Sequence, residues 1–209
     1  MKLQIALDLL DLQKCLEIAK SVERYADSFQ IGSPLLLKYG VQAIEEFRAT
    51  FPNKEIFAET QIVNHEQDIV SMCLKAGATW VSVMAGTTKE VIHAVSSLAS
   101  QKNKFVIMDL FNNNSIGQSA MDANKLGVDA LLYQNIYHEN SENEFAIEEW
   151  DDLRGNSKLP IYIRANINRD NIAFILSLKP DAIIIGKAIT QSKNPAEEAE
   201  FFYRSVQKA

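Results

Sequence analysis

Two cysteines and three histidines are all that this 209-residue chain holds of the side chains most used for disulfides, soft-metal clusters and proton transfer near neutral pH. Cys15 and Cys73 each fall inside an apolar helical pattern, so two buried thiols are expected rather than a bridge or a metal cluster, as suits a reducing cytoplasm. An excess of positive charge is also missing. The formal net charge of −6 disfavours attraction to nucleic acid or to anionic lipid and leaves small molecules or proteins as the expected partners. No apolar run reaches the roughly 18 residues of a transmembrane helix, and the opening MKLQIALDLL lacks the apolar core and cleavage site of a signal peptide. Neither membrane insertion nor export is expected, and the expected location is cytoplasmic.

What is present is ordinary for a globular protein: 47% hydrophobic and 23% charged residues. No linker, low-complexity tract or long charge run divides residues 1–209, which are read as one domain. Three segments share a phrase, CLKAGATWVSVM (73–84), NKLGVDALLY (124–133) and SLKPDAIIIG (177–186), each joining an amphipathic stretch to a short apolar run. Gly77 and Gly127 suit the left-handed position just past a helix, and Pro180 cannot continue one.

The apolar runs are nearly continuous, as in parallel strands covered on both faces. Strands are predicted near 3–8, 27–31, 55–60, 79–84, 104–110, 129–133, 159–163 and 181–186, each followed by a helical pattern. Eight such units at a spacing of about 26 residues predict a parallel (β/α)8 TIM barrel, against the alternative of a doubly wound open sheet. No G-x-G-x-x-G follows the first strand and no P-loop occurs.

Active sites of such barrels lie at the C-terminal strand ends, which here carry Asp8, Gln30, Glu59, Asp109, Gln134, Arg164, Asn166, Gly186 and Lys187. Gly186 and Lys187 follow the last strand, where backbone N–H groups and a cation favour phosphate over the plainer reading of a tight turn. Asp8 suits a general base, a metal ligand or a hydroxyl acceptor, while Asp11 is the better N-cap for a helix starting near Leu12. Glu59 with Gln30 would make a poor metal site, since one carboxylate rarely suffices for a hard cation. Asp109 either joins the mouth or only bonds at its strand end. His65 and His93 are expected in helices and His138 in a polar loop after strand six, all in surface or structural roles.

The segments MKLQIALDLLDL, QIGSPLLLKYG, GATWVSVMAG, MDL (108–110) and IIIGKAIT together resemble the hexulose-6-phosphate synthase and 3-keto-gulonate-6-phosphate decarboxylase family, of the orotidine-5′-phosphate decarboxylase group of barrels. The resemblance implies a Mg²⁺-stabilised enediolate on a phosphorylated sugar, a homodimer, and a D-x-K-x-x-D motif after strand three. Here that motif reads Glu59-Thr60-Gln61-Ile62-Val63-Asn64. A longer carboxylate, a neutral amide for the lysine and an amide for the second aspartate replace its three functional positions. The family's glutamate metal ligand after strand two is Gln30, and its strand-six histidine is Gln134. Its glycine pair after strand seven is Ala165-Asn166, beside which Arg164 brings a cation.

Losing one preorganised electrostatic group commonly costs about 10²- to 10³-fold in rate. The expected catalytic set is therefore Asp8, Glu59, Gln61, Asn64, Asp109 and Gln134, with the parent lyase activity absent or very weak. Phosphate would be held by Asn166, Gly186, Lys187 and Arg164, and Mg²⁺ is the family's cofactor with its ligands substituted. The alternatives are a non-catalytic barrel binding a phosphorylated sugar, another small anion or a protein partner, and an enzyme of different chemistry using Asp8, Glu59, Asp109 and Arg164.

Overall fold

The computed structural model describes residues 1–135 and 146–208. His138 lies outside them. In chain order the elements are β1 (Lys2–Leu7), α1 (Leu12–Val22), β2 (Ser28–Ile31), α2 (Ser33–Tyr39), α3 (Gln42–Thr50), β3 (Glu55–Ile62), α4 (Glu66–Lys75), β4 (Trp80–Met84), α5 (Lys89–Ser100) and β5 (Phe105–Asp109). There follow α6 (Ile116–Leu126), β6 (Ala130–Asn135), α7 (Ile147–Asn156), β7 (Ile161–Ala165), α8 (Ile172–Ser177), β8 (Ala182–Ile185), α9 (Lys187–Thr190) and α10 (Pro195–Lys208). The strands pair in sequence order, all parallel, and β8 returns to β1 to close the barrel. No helix among the described residues is long and apolar enough to cross a membrane.

Alternation along each strand sorts the core into two parts. Leu3, Ile5 and Leu7 of β1 face the helices, whereas Ala6 faces the lumen with Phe57, Trp80, Ile107, Leu132, Tyr162 and Ile184. The lumen is a packed core with a polar strip: the Ser28 hydroxyl donates to Gln4 Oε1 (2.9 Å), and Gln4 Nε2 donates to Gln30 Oε1 (2.8 Å). Cys15 and Cys73 are buried free thiols, both pushed up to about 11 by burial.

The shared phrase acquires a structural meaning at the barrel floor. Each copy carries one polar residue just ahead of its strand, and that side chain accepts the N–H of the first or second residue of the preceding strand. Thr79 Oγ1 takes Ile56 N (3.1 Å), Asp129 takes Val106 N (2.8 Å) and Asp181 takes Ile161 N (2.8 Å). Asp27, ahead of β2, does the same for Leu3 N (2.7 Å). These groups satisfy backbone donors that the staggered strand ends would otherwise strand. Gly77 and Gly127 take left-handed conformations (φ 107° and 82°) just past α4 and α6, as their spacing predicts.

Four details differ from the sequence expectation. β3 runs to Ile62 instead of opening into a loop near residue 60. β7 begins at Ile161 and not near 159, because Pro160 has no N–H to place in a ladder. The second strand is followed by two helices, α2 and α3, and the eighth by α9 and α10. His65 is outside its helix, a left-handed residue (φ 53°) just ahead of α4, whereas His93 is within α5 and exposed.

Candidate functional site

At the end of β3 the chain departs from regular pairing. Ala58 is opposite Val81 but Ile62 is opposite Val83, so β3 advances four residues while β4 advances two. Side chains fill the gap. The Thr60 hydroxyl donates to Ser82 O (2.8 Å) and accepts from Ser82 N (3.1 Å), while Gln61 N donates to Ser82 Oγ (2.8 Å). Gln61 is held left-handed (φ 45°), a bulge of the kind that re-aims a side chain beside a site. Its amide Nε2 then donates to Asp109 Oδ2 (3.1 Å).

Asp109 ends β5 fully buried. Its Oδ2 also accepts from Gln134 Nε2 (2.7 Å) and its Oδ1 from Phe111 N (2.9 Å). Burial raises its pKa, and the bonds from Gln61, Phe111 N and Gln134 hold the rise in check. Two amides at positions that the resemblance gives to a lysine and a histidine thus converge on one carboxylate.

The second cluster forms around Arg164, on the inward face at the end of β7. Its Nη2 donates to Asp8 Oδ2 (2.9 Å) and its Nη1 to Glu59 Oε1, so one guanidinium joins β7 to β1 and β3 across the mouth. Glu59 is 4% exposed, and its other oxygen accepts from Ser33 N (3.0 Å) at the start of α2. Asp8 is pressed between two glycines. A Cβ on Gly32 would fall 1.9 Å from Asp8 Oδ1, and one on Gly186 would fall 3.3 Å from Oδ2. Asp8 Oδ1 and Gln30 Nε2 are buried without hydrogen-bond partners. Burial raises the Asp8 pKa, Arg164 pulls it back and Glu59 pushes it up again.

The remaining sequence candidates sit further out. Asn64 is exposed in the bend after β3. Asn166 is exposed, its backbone carbonyl accepting from Asn171 Nδ2 (3.0 Å). Lys187 is exposed at the start of α9, and its charge reaches Asp8. Asp11 caps α1, accepting from Lys14 N (3.0 Å), which leaves Asp8 to the mouth as expected. Arg164, read as a phosphate ligand from its position, has two carboxylate partners of its own. Sequence reasoning missed Gly32, Ser33, Thr60 and Ser82. Ser82 carried a signal, a lone hydroxyl inside the apolar run WVSVM; the other three had none.

These residues do not fit the magnesium ion that the resemblance implies. Among the described residues no three His, Cys, Asp or Glu side chains gather to hold a metal. Glu59 spends its oxygens on Arg164 and Ser33, Asp109 on three N–H donors, and Gln30 Oε1 on Gln4. Among the carboxylate oxygens of Asp8, Glu59 and Asp109, Asp8 Oδ1 alone has no hydrogen-bond partner within the described residues, and it rests against Gly32. A hard cation needs about six oxygens.

Comparison with known proteins places this geometry among its relatives. Residues 1–202 match the family model described as Orotidine 5'-phosphate decarboxylase / HUMPS family. The chain is 28% identical to a 3-hexulose-6-phosphate synthase of Bacillus subtilis over 200 residues, covering 95% of each chain. The crystal structure of 3-hexulose-6-phosphate synthase from Salmonella typhimurium superposes with a TM-score of 0.93 at 25% identity, over 100% of this chain and 99% of that one. A 3-keto-L-gulonate-6-phosphate decarboxylase from Vibrio cholerae shares the fold, with a TM-score of 0.86 at 21% identity over 99% and 97%.

Proposed function

Because the chain belongs to the orotidine 5'-phosphate decarboxylase / HUMPS family, we propose that it binds a phosphorylated sugar or similar small anion at the barrel mouth, with the family's magnesium-dependent lyase turnover absent or very weak. The observation that carries this reading is the mutual satisfaction of the mouth's own groups. Arg164 pairs with both Asp8 and Glu59, and the amides of Gln61 and Gln134 occupy Asp109. An enediolate needs positive charge aimed at its oxygens, and two neutral amides that already donate to a carboxylate do not supply it.

Binding needs less than catalysis. Lys187 beside Gly186 offers a cation and backbone N–H groups at the end of β8, with Asn166 on the adjoining loop, and these form the phosphate end of the proposed site. The sugar end would rest over Arg164 and Asp109.

Purified protein assayed with Mg²⁺ on hexulose 6-phosphate and on 3-keto-gulonate 6-phosphate tests the reading. Rates at least about 10²-fold below those of the Bacillus subtilis synthase measured alongside are expected. Titration calorimetry with the same sugar phosphates should nevertheless show binding that weakens in K187A. Turnover close to the synthase's own overturns the proposal. A second reading, an enzyme of other chemistry, draws on the raised pKa of Asp8, which suits a carboxyl that holds and returns a proton. It requires Asp8-dependent conversion of a sugar phosphate, visible by NMR as product signals lost in D8N.

A further inference from the structure

We propose that the Arg164 guanidinium is the resident cation of the mouth, lying between Asp8 and Glu59 where a divalent ion would otherwise be held, so that this barrel operates without a metal there. What is at stake is the charge balance among the mouth's own side chains, and because the test uses no sugar phosphate its failure is distinguishable from failure of the functional reading, which draws on the same Arg164 contacts.

Three observations converge. The first is geometric: a single guanidinium contacts carboxylates from two strands, Asp8 of the β1 end and Glu59 of β3, with its Nη groups divided between them. The second is burial. Glu59 is 4% exposed, so its charge demands compensation inside the barrel, and a guanidinium is never deprotonated in a protein and cannot default on that role. The third is the state of the neighbours. Apart from Asp8 Oδ1, the carboxylate oxygens here are already engaged, by Ser33 N on Glu59 and by Gln61, Gln134 and Phe111 N on Asp109.

An entering divalent ion would have to expel Arg164 from both carboxylates. The side chain is 21% exposed, and expulsion would leave its charge part-buried and unpaired. Asp109, the further carboxylate among the described mouth residues, is already held by three N–H donors. Arg164 therefore does more than bind an anion: it offsets part of the mouth's carboxylate charge from within, and its outer edge presents fixed N–H donors to a polarised carbonyl or anionic oxygen of a ligand.

Mn²⁺ titration followed by electron paramagnetic resonance, on the purified full chain, tests this. The unaltered protein should show no Mn²⁺ uptake that depends on Asp8 or Glu59. R164M removes the cation and leaves two facing carboxylates, so its Mn²⁺ affinity should rise roughly tenfold or more, and E59Q added to R164M should abolish the gain. R164Q, which keeps amide donors without the charge, should behave as R164M does and serves if R164M does not fold. R164K, which restores a positive charge, should again exclude the ion. The proposal is overturned if the unaltered protein takes up Mn²⁺ in a manner lost in D8N or E59Q. It is equally overturned if R164M or R164Q, folded by circular dichroism, gains no affinity.

Discussion

At the scale of single residues, the mouth is decided by whether one extra carbon fits: a Cβ on Gly32 would fall 1.9 Å from Asp8 Oδ1. Gly32 has an ordinary backbone (φ −69°), so no left-handed conformation demands glycine there; what demands it is the Asp8 carboxylate against its Cα. Because Arg164 pins that carboxylate, G32A cannot be relieved by a free swing of the side chain, and it should cost about 1–3 kcal/mol in urea denaturation. In the D8A background the same substitution should cost much less. Equal costs in both backgrounds would mean that the contact does not govern the position.

Asp109 makes a second residue-scale prediction. Burial lifts its folded pKa above the ordinary 3.8. A carboxyl raised in this way contributes stability that is fully present below the unfolded pKa and is lost as pH rises through the folded value. The stability of the unaltered protein relative to D109N should therefore increase as pH falls from neutrality towards the ordinary 3.8, read from urea midpoints. An increase in the opposite direction would contradict the raised pKa. Asp8 and Asp109 were legible in the sequence as strand-end carboxylates, but their surroundings were not. Which donors face a carboxylate depends on residues tens of positions away.

At the scale of elements, the informative piece is β3. From its sequence, E-T-Q-I-V-N reads as a strand giving way to a loop, and the bulge is invisible because half of it is written in β4. Ser82 supplies both the backbone that Thr60 satisfies and the hydroxyl that fixes Gln61. T60V keeps the shape of the side chain and removes both bonds, leaving the buried Ser82 amide and carbonyl unpaired. A loss of about 1–3 kcal/mol is expected by urea denaturation. The Gln61–Asp109 bond should loosen with it, seen as faster exchange of the Gln61 side-chain amide in NMR. Unchanged stability would show that regular pairing can replace the bulge. The helices were more legible than this strand. Their caps, such as Asp11 and Gly127, act on their own neighbours and need no distant partner.

At the scale of the whole molecule, closure of the barrel is what brings the charged groups together. Arg164 is 105 residues from Glu59 and 156 from Asp8, and only the return of β8 to β1 sets β7 across the mouth from them. Assembly belongs to this scale too. A homodimer is what the family resemblance implies, and exposed Leu10, Leu37 and Val63, on the segments that follow β1, β2 and β3, offer apolar surface that such a contact would cover. Sedimentation velocity should give twice the chain mass at micromolar concentration. A single species of the chain mass would refute the expectation.

The sequence by itself determined the barrel, because near-continuous apolar runs, helix ends at glycine or proline and an even spacing are local properties that one chain displays in order. Through the resemblance it also raised the expectation that the motif's functional side chains are substituted, since reading a motif position needs no coordinates. The tertiary structure alone decided what the substitutes do: that Arg164 faces carboxylates instead of solvent, and that two amides converge on Asp109. Charge pairing falls off with distance in space and takes no account of separation along the chain, so it has no signature until the strands close.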